Sequence, residues 1–425
     1  MAMAMALALG ADPRHVLAGL LTLTMFLILA AMVKRDYYYA PPRKSATTTT
    51  TTPIQGSVHG DGPKGDDYDD GFNRTPAEGF NLKPCWQKPV FADDAVEWRG
   101  YVTFSLTNGP EFHVSQIADA VVVARYLRAV LVIPKIRQSA TGDDREFEDV
   151  YSVEKFIESL ESAVKVVKSM PWGVSGHNLT VVKVPNRVTK EYVAEHIGPI
   201  FRARGNIKIV TYFPSVNMRK NNNVEPAACL GMFGTLEPQR EVGEVVELMV
   251  NRLRSSSNGG QLVAVDLRME VLEKKGCRQQ LGPQKSCYGA KEVGVLLRNM
   301  GFDKGTTVVY VTQTRWHNNL YALKDLFPKT YTKESILPME RKEGILNSEA
   351  LEKAIDFYMC SESDVYVPAI SGLFYANVAG RRIASGRTRI LVPPANIHIP
   401  APAPADEFLS PYVSKKNHIA YSCFC

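Results

Sequence analysis

From about residue 97 onward, apolar residues alternate between strand-type runs and helix-type spacing. Gly100–Leu106 (GYVTFSL) is typical of a buried strand, and the tight turn Thr107–Glu111 (TNGPE) follows it. Apolar residues then recur at helical spacing over Ile117–Leu127, and Ala129–Pro134 (AVLVIP) is a second strand-type run. Strand, glycine-containing turn, helix and strand form the βαβ unit of a parallel sheet.

The same alternation restarts after the linker-like run SSSNGG at residues 255–260. We therefore predict an α/β fold with two Rossmann-like lobes in tandem. Two such lobes bind a ligand in the cleft between the carboxyl ends of their strands. The further predicted strands are Asn206–Pro214, Leu262–Arg268, Thr306–Thr312, Asp364–Ala369 and Arg389–Pro393, and the further helices are Val242–Leu253, Ala290–Met300, Asn318–Phe327, Glu349–Met359 and Leu373–Arg381.

The amino-terminal part contains one long apolar segment, Val16–Val33, which has no charged residue. A helix of this length reaches about 27 Å, enough to cross a bilayer, and it exceeds a usual signal-peptide core. An uncleaved signal anchor is therefore favoured over a cleaved signal peptide. The basic residues Lys34 and Arg35 do not by themselves favour a lumenal carboxyl terminus. The glycosylation sequons at Asn178 and Asn73 support that orientation.

A polar stem is predicted between the anchor and the α/β region. It contains six consecutive threonines, Thr47–Thr52, and the acidic run Asp66–Asp70, a composition that cannot bury enough apolar surface to fold. Asp67-Tyr68-Asp69 has the Asp-x-Asp pattern of metal-dependent sugar transferases, but inside an acidic linker it indicates solvated charge. The predicted organisation is a cytoplasmic tail (1–15), a transmembrane anchor (16–33), a stem (34–95), an amino-terminal lobe (96–254) and a carboxyl-terminal lobe (255–425).

Charge and cysteine content narrow the function classes. The formal charge is +6 with an isoelectric point of about 8.8, and no long Lys/Arg block occurs, which argues against nucleic-acid binding. The excess is typical of a solvated surface, with a local basic pocket as the alternative. None of the seven cysteines has zinc-type spacing. Cys277 and Cys287 flank a short loop and could form a disulfide in an oxidising lumen, and the odd count leaves at least one cysteine unpaired.

The sequence lacks the motifs of several large enzyme classes: the nucleophile elbow G-x-S-x-G, the P-loop, H-E-x-x-H and G-x-G-x-x-G. Polar residues at strand ends remain as candidates. Arg268 ends the strand-type run LVAVDLR, where its guanidinium could bind a diphosphate. An ion pair between the lobes, for example with Glu270, is the alternative.

Three further positions are candidates for ligand binding. Asn108 and Gly109 lie in the first strand-to-helix turn, beside a helix N-terminus that favours anions, although an ordinary turn is the more common case. Ser363 and Asp364 precede a strand, and Ser371-Gly372 opens the following helix. These small donors could hold a phosphate or a base, whereas the alternative for Ser371 is simple helix capping.

Four separated blocks carry a resemblance to a known family. They are TNGPEFHVSQIADAVVVARYLRAVLVIPKIR, LVAVDLRMEVLEKKGC, VVYVTQTRW with LKDLFPKTYTKE, and AIDFYMCSESDVYVPAISGLFYANVAGRRIASG. In this order they resemble the plant O-fucosyltransferase-like family, and the chain is most similar to its mannan-synthesis-related branch, which shares the NGPE turn and the CFC ending.

The resemblance implies a GT-B arrangement of two facing Rossmann-like domains in a type II Golgi membrane protein. It also implies a GDP-sugar donor, no metal cofactor, and a role in mannan or glucomannan synthesis. Arg268 matches the arginine expected to hold the donor diphosphate. Ser363 and Asp364 match residues expected near guanine and ribose. Ser371-Gly372 matches a turn near phosphate, and Asn108-Gly109 matches the first-lobe turn loosely.

Two departures from the family pattern give two hypotheses. Asp266 stands where the family has histidine, and a carboxylate beside a diphosphate repels it unless it is paired. Pro110 restricts a turn that is glycine-rich in the family. The first hypothesis is an inverting glycosyltransferase in which Arg268 stabilises the leaving diphosphate and Glu111 is the general base for a polysaccharide or glycoprotein acceptor. The second is a non-catalytic partner of a polysaccharide synthase.

Overall fold

A computed structural model describes residues 84, 86–90, 97–138, 144–172, 179–214, 225–268, 271–272, 287–312, 320–387, 389–393 and 423–424. All of them belong to one compact unit, Asn73–Cys425. Within these residues no helix is both long enough and apolar enough to cross a membrane. The predicted anchor at 16–33, the stem up to residue 83 and both sequons lie outside the described residues.

The first lobe is built on a parallel sheet of five strands in the order β6-β3-β1-β8-β7. The predicted strand Gly100–Leu106 divides at Phe104, because the chain there leaves this sheet and enters a small second one, β2-β4-β5. The strands of the lobe are β1 (Tyr101–Thr103), β2 (Ser105–Thr107), β3 (Val130–Val132), β4 (Lys135–Arg137), β5 (Asp144–Arg145), β6 (Val166–Val167), β7 (Thr180–Pro185) and β8 (Asn206–Tyr212).

The central helix of this lobe, α1 (Pro110–Leu127), begins at a proline in its first turn, where the missing N–H costs nothing. It ends at Arg128, whose left-handed backbone (φ 51°) lets its N–H cap the last carbonyls. The other helical segments are α2 (Val153–Leu160), α3 (Lys190–Tyr192), a π-helical turn (Val193–Ile197), α4 (Gly198–Arg204) and α5 (Pro226–Phe233).

α1 and α5 cross at close range. A Cβ at Gly231 of α5 would lie 2.9 Å from the Cα of Ala118 in α1, so this crossing requires glycine.

The second lobe has a four-stranded parallel sheet in the order β11-β10-β9-β12. Both of its faces are buried, which explains the continuous apolar runs. The predicted strand Arg389–Pro393 is reduced to one isolated bridge, Ile390 to Tyr366. The strands are β9 (Leu262–Asp266), β10 (Val308–Thr312), β11 (Thr330–Thr332) and β12 (Val365–Pro368).

Helices cover both faces of the second sheet. The helix Arg240–Ser256 packs against β9 and β10, so it belongs with this sheet, and the predicted lobe boundary between 254 and 255 falls inside it. The helices are α6 (Arg240–Ser256), α7 (Ala290–Asn299), α8 (Tyr321–Leu326), α9 (Lys333–Ile336), α10 (Met339–Leu346), α11 (Glu349–Glu362) and α12 (Leu373–Ala384). The predicted α/β class is confirmed.

A large apolar core runs through both lobes, a second apolar cluster lies within the second lobe, and a buried ion pair is embedded in the first of these. Lys333 Nζ donates to Asp356 Oδ2 at 2.6 Å, and the Tyr310 hydroxyl donates to Asp356 Oδ1 at 2.6 Å. Both charged side chains are less than a tenth exposed. The carboxylate is therefore satisfied from two sides, as a buried charge must be.

The carboxyl-terminal residues return to the first lobe. Cys423 forms a disulfide with Cys229 of α5, and the ring of Phe424 packs on that of Phe233 at 5.2 Å. Two residues of the segment predicted as the second lobe, 255–425, therefore contact the first lobe, and the predicted lobe boundaries stay a prediction. Cys287 is disulfide-bonded, whereas its predicted partner Cys277 lies outside the described residues.

The buried thiol of Cys360 is free, so the prediction that at least one cysteine is unpaired is confirmed.

Candidate active site

The candidate site lies at the carboxyl edge of the second sheet. In register, Asp266 at the end of β9 pairs with Thr312 at the end of β10 and with Pro368 at the end of β12. Arg268 follows β9 by two residues. Because parallel strands end at a common edge, these side chains and the turn before α12 are brought together.

The guanidinium of Arg268 is the centre of this cluster. Its Nε donates to Asp266 Oδ1 at 2.8 Å, and its Nη2 donates to Asp266 Oδ2 at 3.1 Å. Its Nη1 donates to Glu111 Oε1 at 3.2 Å. Burial alone would lower the pKa of Arg268, but the charges of Asp266 and Glu111 raise it above its ordinary value, so the cation is held.

Phe374 of α12 forms one wall of the cluster. The centroid of its ring lies 4.2 Å from Arg268 Cζ, a cation–π contact. The arginine side chain is one fifth exposed, so these contacts do not enclose it completely.

Asp266 is fully buried, and its charge is neutralised locally. Besides the two bonds from Arg268, its Oδ1 lies 3.2 Å from the hydroxyl of Thr312. That hydroxyl accepts the Leu267 N–H at 3.2 Å and also lies 3.4 Å from the Val265 carbonyl. The carboxylate of Asp266, which stands where the family has histidine, therefore faces Arg268 and not open solvent.

Glu111 is the first-lobe residue whose side chain contacts Arg268. It lies in the first turn of α1, where the helix dipole favours a carboxylate. Its backbone carbonyl accepts a hydrogen bond from Asn377 Nδ2 of α12 at 2.6 Å. For Arg268 the sequence allowed a diphosphate contact or an ion pair between lobes. The structure shows the ion pair, with Glu111 as partner, whereas Glu270 lies outside the described residues.

The turn before α1 orients Glu111. Asn108 has a left-handed backbone (φ 70°), and its carbonyl accepts from Lys353 Nζ at 3.2 Å. A Cβ at Gly109 would lie 2.6 Å from Glu111 Oε2 and 3.1 Å from Lys353 Cδ. Glycine is therefore needed for the carboxylate to fold back over the turn. Lys353 also forms an ion pair with Glu349 at 2.6 Å.

His113 lies behind Glu111 and contributes no charge to the site. Its Nδ1 is 2.7 Å from the hydroxyl of Tyr151 in the core. Burial, assisted by the positive charge of Lys353, lowers the pKa of His113 to about 3. The imidazole is therefore neutral at physiological pH.

The turn Ser371-Gly372 lies at the same edge as Arg268. Gly372 is the N-cap residue of α12 and has φ 144°, a backbone conformation that favours glycine. The alternative for Ser371, simple capping of this helix, is not what the structure shows, since the N-cap residue is Gly372 and no side chain caps the helix. Two residues later Phe374 reaches Arg268.

Ser363 and Asp364 lie at the opposite edge of the sheet. Both precede β12, and the N–H of Asp364 donates to the carbonyl of Leu262, the first residue of β9. The carboxyl edge is a strand length away, about 13 Å for four residues. The structure therefore does not bring this pair to Arg268, and their predicted place near guanine and ribose stays a prediction.

The polar atoms of this pair have structural partners. Asp364 Oδ1 accepts from Arg254 at 2.7 Å, and Oδ2 accepts the N–H of Leu262 at 2.8 Å. The fully buried Arg382 donates to the hydroxyl and the carbonyl of Ser363. Together they tie the start of β12 to α6 and α12.

Comparison with known proteins assigns the chain to a family. A sequence model described as GDP-fucose protein O-fucosyltransferase matches residues 101–384, more than half of the chain. The chain belongs to this family.

Among curated relatives of this family member, Protein MANNAN SYNTHESIS-RELATED 1 of Arabidopsis thaliana is 50% identical, covering 98% of this chain and 100% of the relative. Protein MANNAN SYNTHESIS-RELATED of Trigonella foenum-graecum is 45% identical, covering 97% and 98%. A crystal structure of POFUT1 in complex with GDP is similar with 12% identity and a TM-score of 0.43, covering 69% of this chain and 98% of that one.

Four residues that the sequence did not single out also belong to the Arg268 cluster of this O-fucosyltransferase family member. They lie in a buried strand or on helices, and by sequence pattern alone they look like ordinary core or surface residues. Thr312 carried a usable signal, because it ends the strand next to β9 at the same edge. Asn377 carried another, because it is polar within a buried stretch of helix. The four are Thr312, Lys353, Phe374 and Asn377.

Proposed function

We propose that the protein is a glycosyltransferase that transfers a sugar from a GDP-sugar, using the cleft where Arg268 and Glu111 meet. The observation that supports this is the contact itself. A guanidinium at the carboxyl edge of the second sheet faces a carboxylate at the amino end of the first-lobe helix α1, at 3.2 Å. The family membership supports the reaction class, because its description names GDP-fucose.

In the proposed reaction the hydroxyl oxygen of the acceptor forms a bond to the anomeric carbon of the donor sugar from the face opposite the diphosphate. The bond between that carbon and the diphosphate oxygen breaks, and its electron pair leaves with GDP. The configuration is therefore inverted. Arg268 stabilises the charge on the leaving diphosphate, and Glu111 accepts the hydroxyl proton. In this scheme Arg268 supplies the positive charge that a metal ion supplies in other transferases.

The setting we propose is the lumen of the Golgi, in a single-pass type II membrane protein anchored by residues 16–33. The names of the relatives support a role in mannan or glucomannan synthesis, with a polysaccharide or glycoprotein acceptor and a polysaccharide synthase as a candidate partner. The disulfide between Cys229 and Cys423 supports an oxidising compartment.

The test uses the purified full chain in mild detergent, titrated calorimetrically with GDP, GDP-fucose and GDP-mannose. Arg268→Lys keeps the positive charge but loses the paired N–H donors of the guanidinium, and Arg268→Ala removes both the charge and the donors. We expect GDP binding to weaken in both, and donor turnover to fall about 10²- to 10³-fold in Arg268→Ala, the usual cost of losing one charge-stabilising group.

Arg381→Lys is the matched control. Arg381 is also about one fifth exposed, is paired with Glu237 and lies over the ring of Tyr358, but it belongs to the far end of α12. Retained turnover in Arg268→Ala, or an equal loss in Arg381→Lys, would remove the assignment.

A second candidate function is a non-catalytic partner that supports a polysaccharide synthase. The observation that favours it is the charge at the cluster, because one cation faces two carboxylates and the net formal charge of the three groups is −1. A nucleotide diphosphate must displace Glu111 from such a site. If the wild-type chain binds none of the three nucleotides, this second function replaces the first.

A further inference from the structure

The hydrogen-bond inventory of Arg268 shows which edge of its guanidinium is in use. Arginine carries five N–H donors. Asp266 accepts from Nε and Nη2, along the side of the guanidinium, and Glu111 accepts from Nη1 at its end. One N–H on Nη1 and one on Nη2 have no acceptor within the described part of the chain. The end fork, formed by one N–H each of Nη1 and Nη2, is the edge next to Glu111, and Glu111 must leave it before a diphosphate can use both bonds.

The N–H bonds of Nε and Nη2 form the side fork of the guanidinium. This side fork is held by groups that do not reach the cleft. Asp266 is fully buried, and the hydroxyl of Thr312 lies 3.2 Å from its Oδ1. Thr312 is also fully buried and is anchored by the N–H of Leu267. Phe374 fixes the plane of the guanidinium from one face. The side chain of Arg268 is therefore restricted along one edge and one face.

We infer that Asp266 and Thr312 are positioning residues for Arg268: they hold its side fork so that the end fork faces the donor diphosphate. The inference rests on the proposed function. It also changes the role expected of Asp266, which acts through Arg268 and does not contact the nucleotide. A free arginine loses side-chain entropy when it binds phosphate, and prior fixation removes that cost. Two N–H bonds in one plane match two phosphate oxygens.

The test measures GDP affinity of the full chain by calorimetry in variants of Thr312. Thr312→Val removes the hydroxyl at nearly constant volume, and we expect GDP binding about tenfold weaker, the scale of one hydrogen bond to a charged group. Thr312→Ser keeps the hydroxyl and restores binding. If Thr312→Val does not fold, Thr312→Ala serves in its place with the same expected result.

Thr330→Val is the matched control in the same sheet. Thr330 is buried and its hydroxyl donates to the carbonyl of Phe327 at 2.6 Å, but it starts β11 and so lies away from the Arg268 edge. A merely structural role for Thr312 predicts that both valine variants lose thermal stability and neither loses GDP affinity. The positioning role predicts a loss of affinity in Thr312→Val alone.

The outcomes separate this inference from the proposed function. If the wild-type chain does not bind GDP, the proposed function fails and the positioning role fails with it. If the wild type binds GDP and Thr312→Val binds it equally tightly, the positioning role alone is overturned. If both valine variants weaken GDP binding to the same extent, the effect is not specific to Arg268 and the inference is also overturned.

Discussion

Glu111→Gln separates the ion pair that the structure shows for this carboxylate from the general-base role that we propose for it. Glu111 pairs with Arg268 in the structure, and in the proposed reaction it accepts a proton from the acceptor. The substitution keeps the size and one hydrogen-bond acceptor, but it removes the charge. We therefore expect opposite effects on donor binding and on transfer.

The size of the binding effect follows from the 3.2 Å separation of Arg268 Nη1 and Glu111 Oε1. Two unit charges at this distance attract by about 5 kcal/mol at an effective dielectric constant of about 20. Desolvation and the acceptor oxygen that glutamine retains reduce the net difference to about 1.5–3 kcal/mol, the range for hydrogen bonds to charged groups. Since a diphosphate must displace Glu111, GDP should bind about ten- to a hundredfold more tightly to Glu111→Gln.

Transfer should change in the other direction, with a loss of about 10²- to 10⁴-fold in kcat if Glu111 is the general base. Calorimetry with GDP and a turnover assay with the donor found by titration measure the two effects. Glu237→Gln is the control, because Glu237 pairs with Arg381 at 3.1 Å away from the cleft. Unchanged or weaker GDP binding in Glu111→Gln would refute the competition, and retained turnover would refute the general base.

Two further predictions concern stability. The pKa of His113 is lowered from 6.5 to about 3, so the unfolded chain binds a proton below pH 6.5 that the folded chain does not. Stability from this group is complete above pH 6.5 and is lost as the pH falls toward 3, by about 2 kcal/mol at pH 5. Urea denaturation at pH 7.5 and 5 should show a smaller decrease for His113→Gln than for the wild type, and equal decreases would contradict this. Lys333→Met should cost about 3–5 kcal/mol because it leaves Asp356 charged and buried. Asp356→Leu in the same chain should restore part of that loss in urea denaturation, and no restoration would show that the two side chains do not interact.

Much of the fold followed from the apolar pattern, because long buried strands and helices have distinct periods. β9 and α12 were predicted within two or three residues of their ends. Short or irregular elements were missed. β6 has two residues, and the helical segment over 190–204 is interrupted by a π-helical turn, so neither repeats a period often enough to be recognised.

The position of a site residue was predictable where the residue lies at or just after the carboxyl end of a strand, because parallel strands end at one edge of the sheet. Asp266 ends a strand, Arg268 and the Ser371-Gly372 turn follow strands, and the structure brings all of them to one edge. Ser363 and Asp364 precede their strand, so the same rule applied strictly would have placed them at the opposite edge. The contact between Glu111 and Arg268 spans 157 residues, and no local pattern reports a pairing over that distance.

The disulfide between Cys229 and Cys423 has a consequence for biosynthesis. The two cysteines are 194 residues apart, and the whole second sheet lies between them in the chain. The first lobe therefore cannot be covalently closed while the ribosome is still making the second, and oxidation of this pair is a late event in maturation.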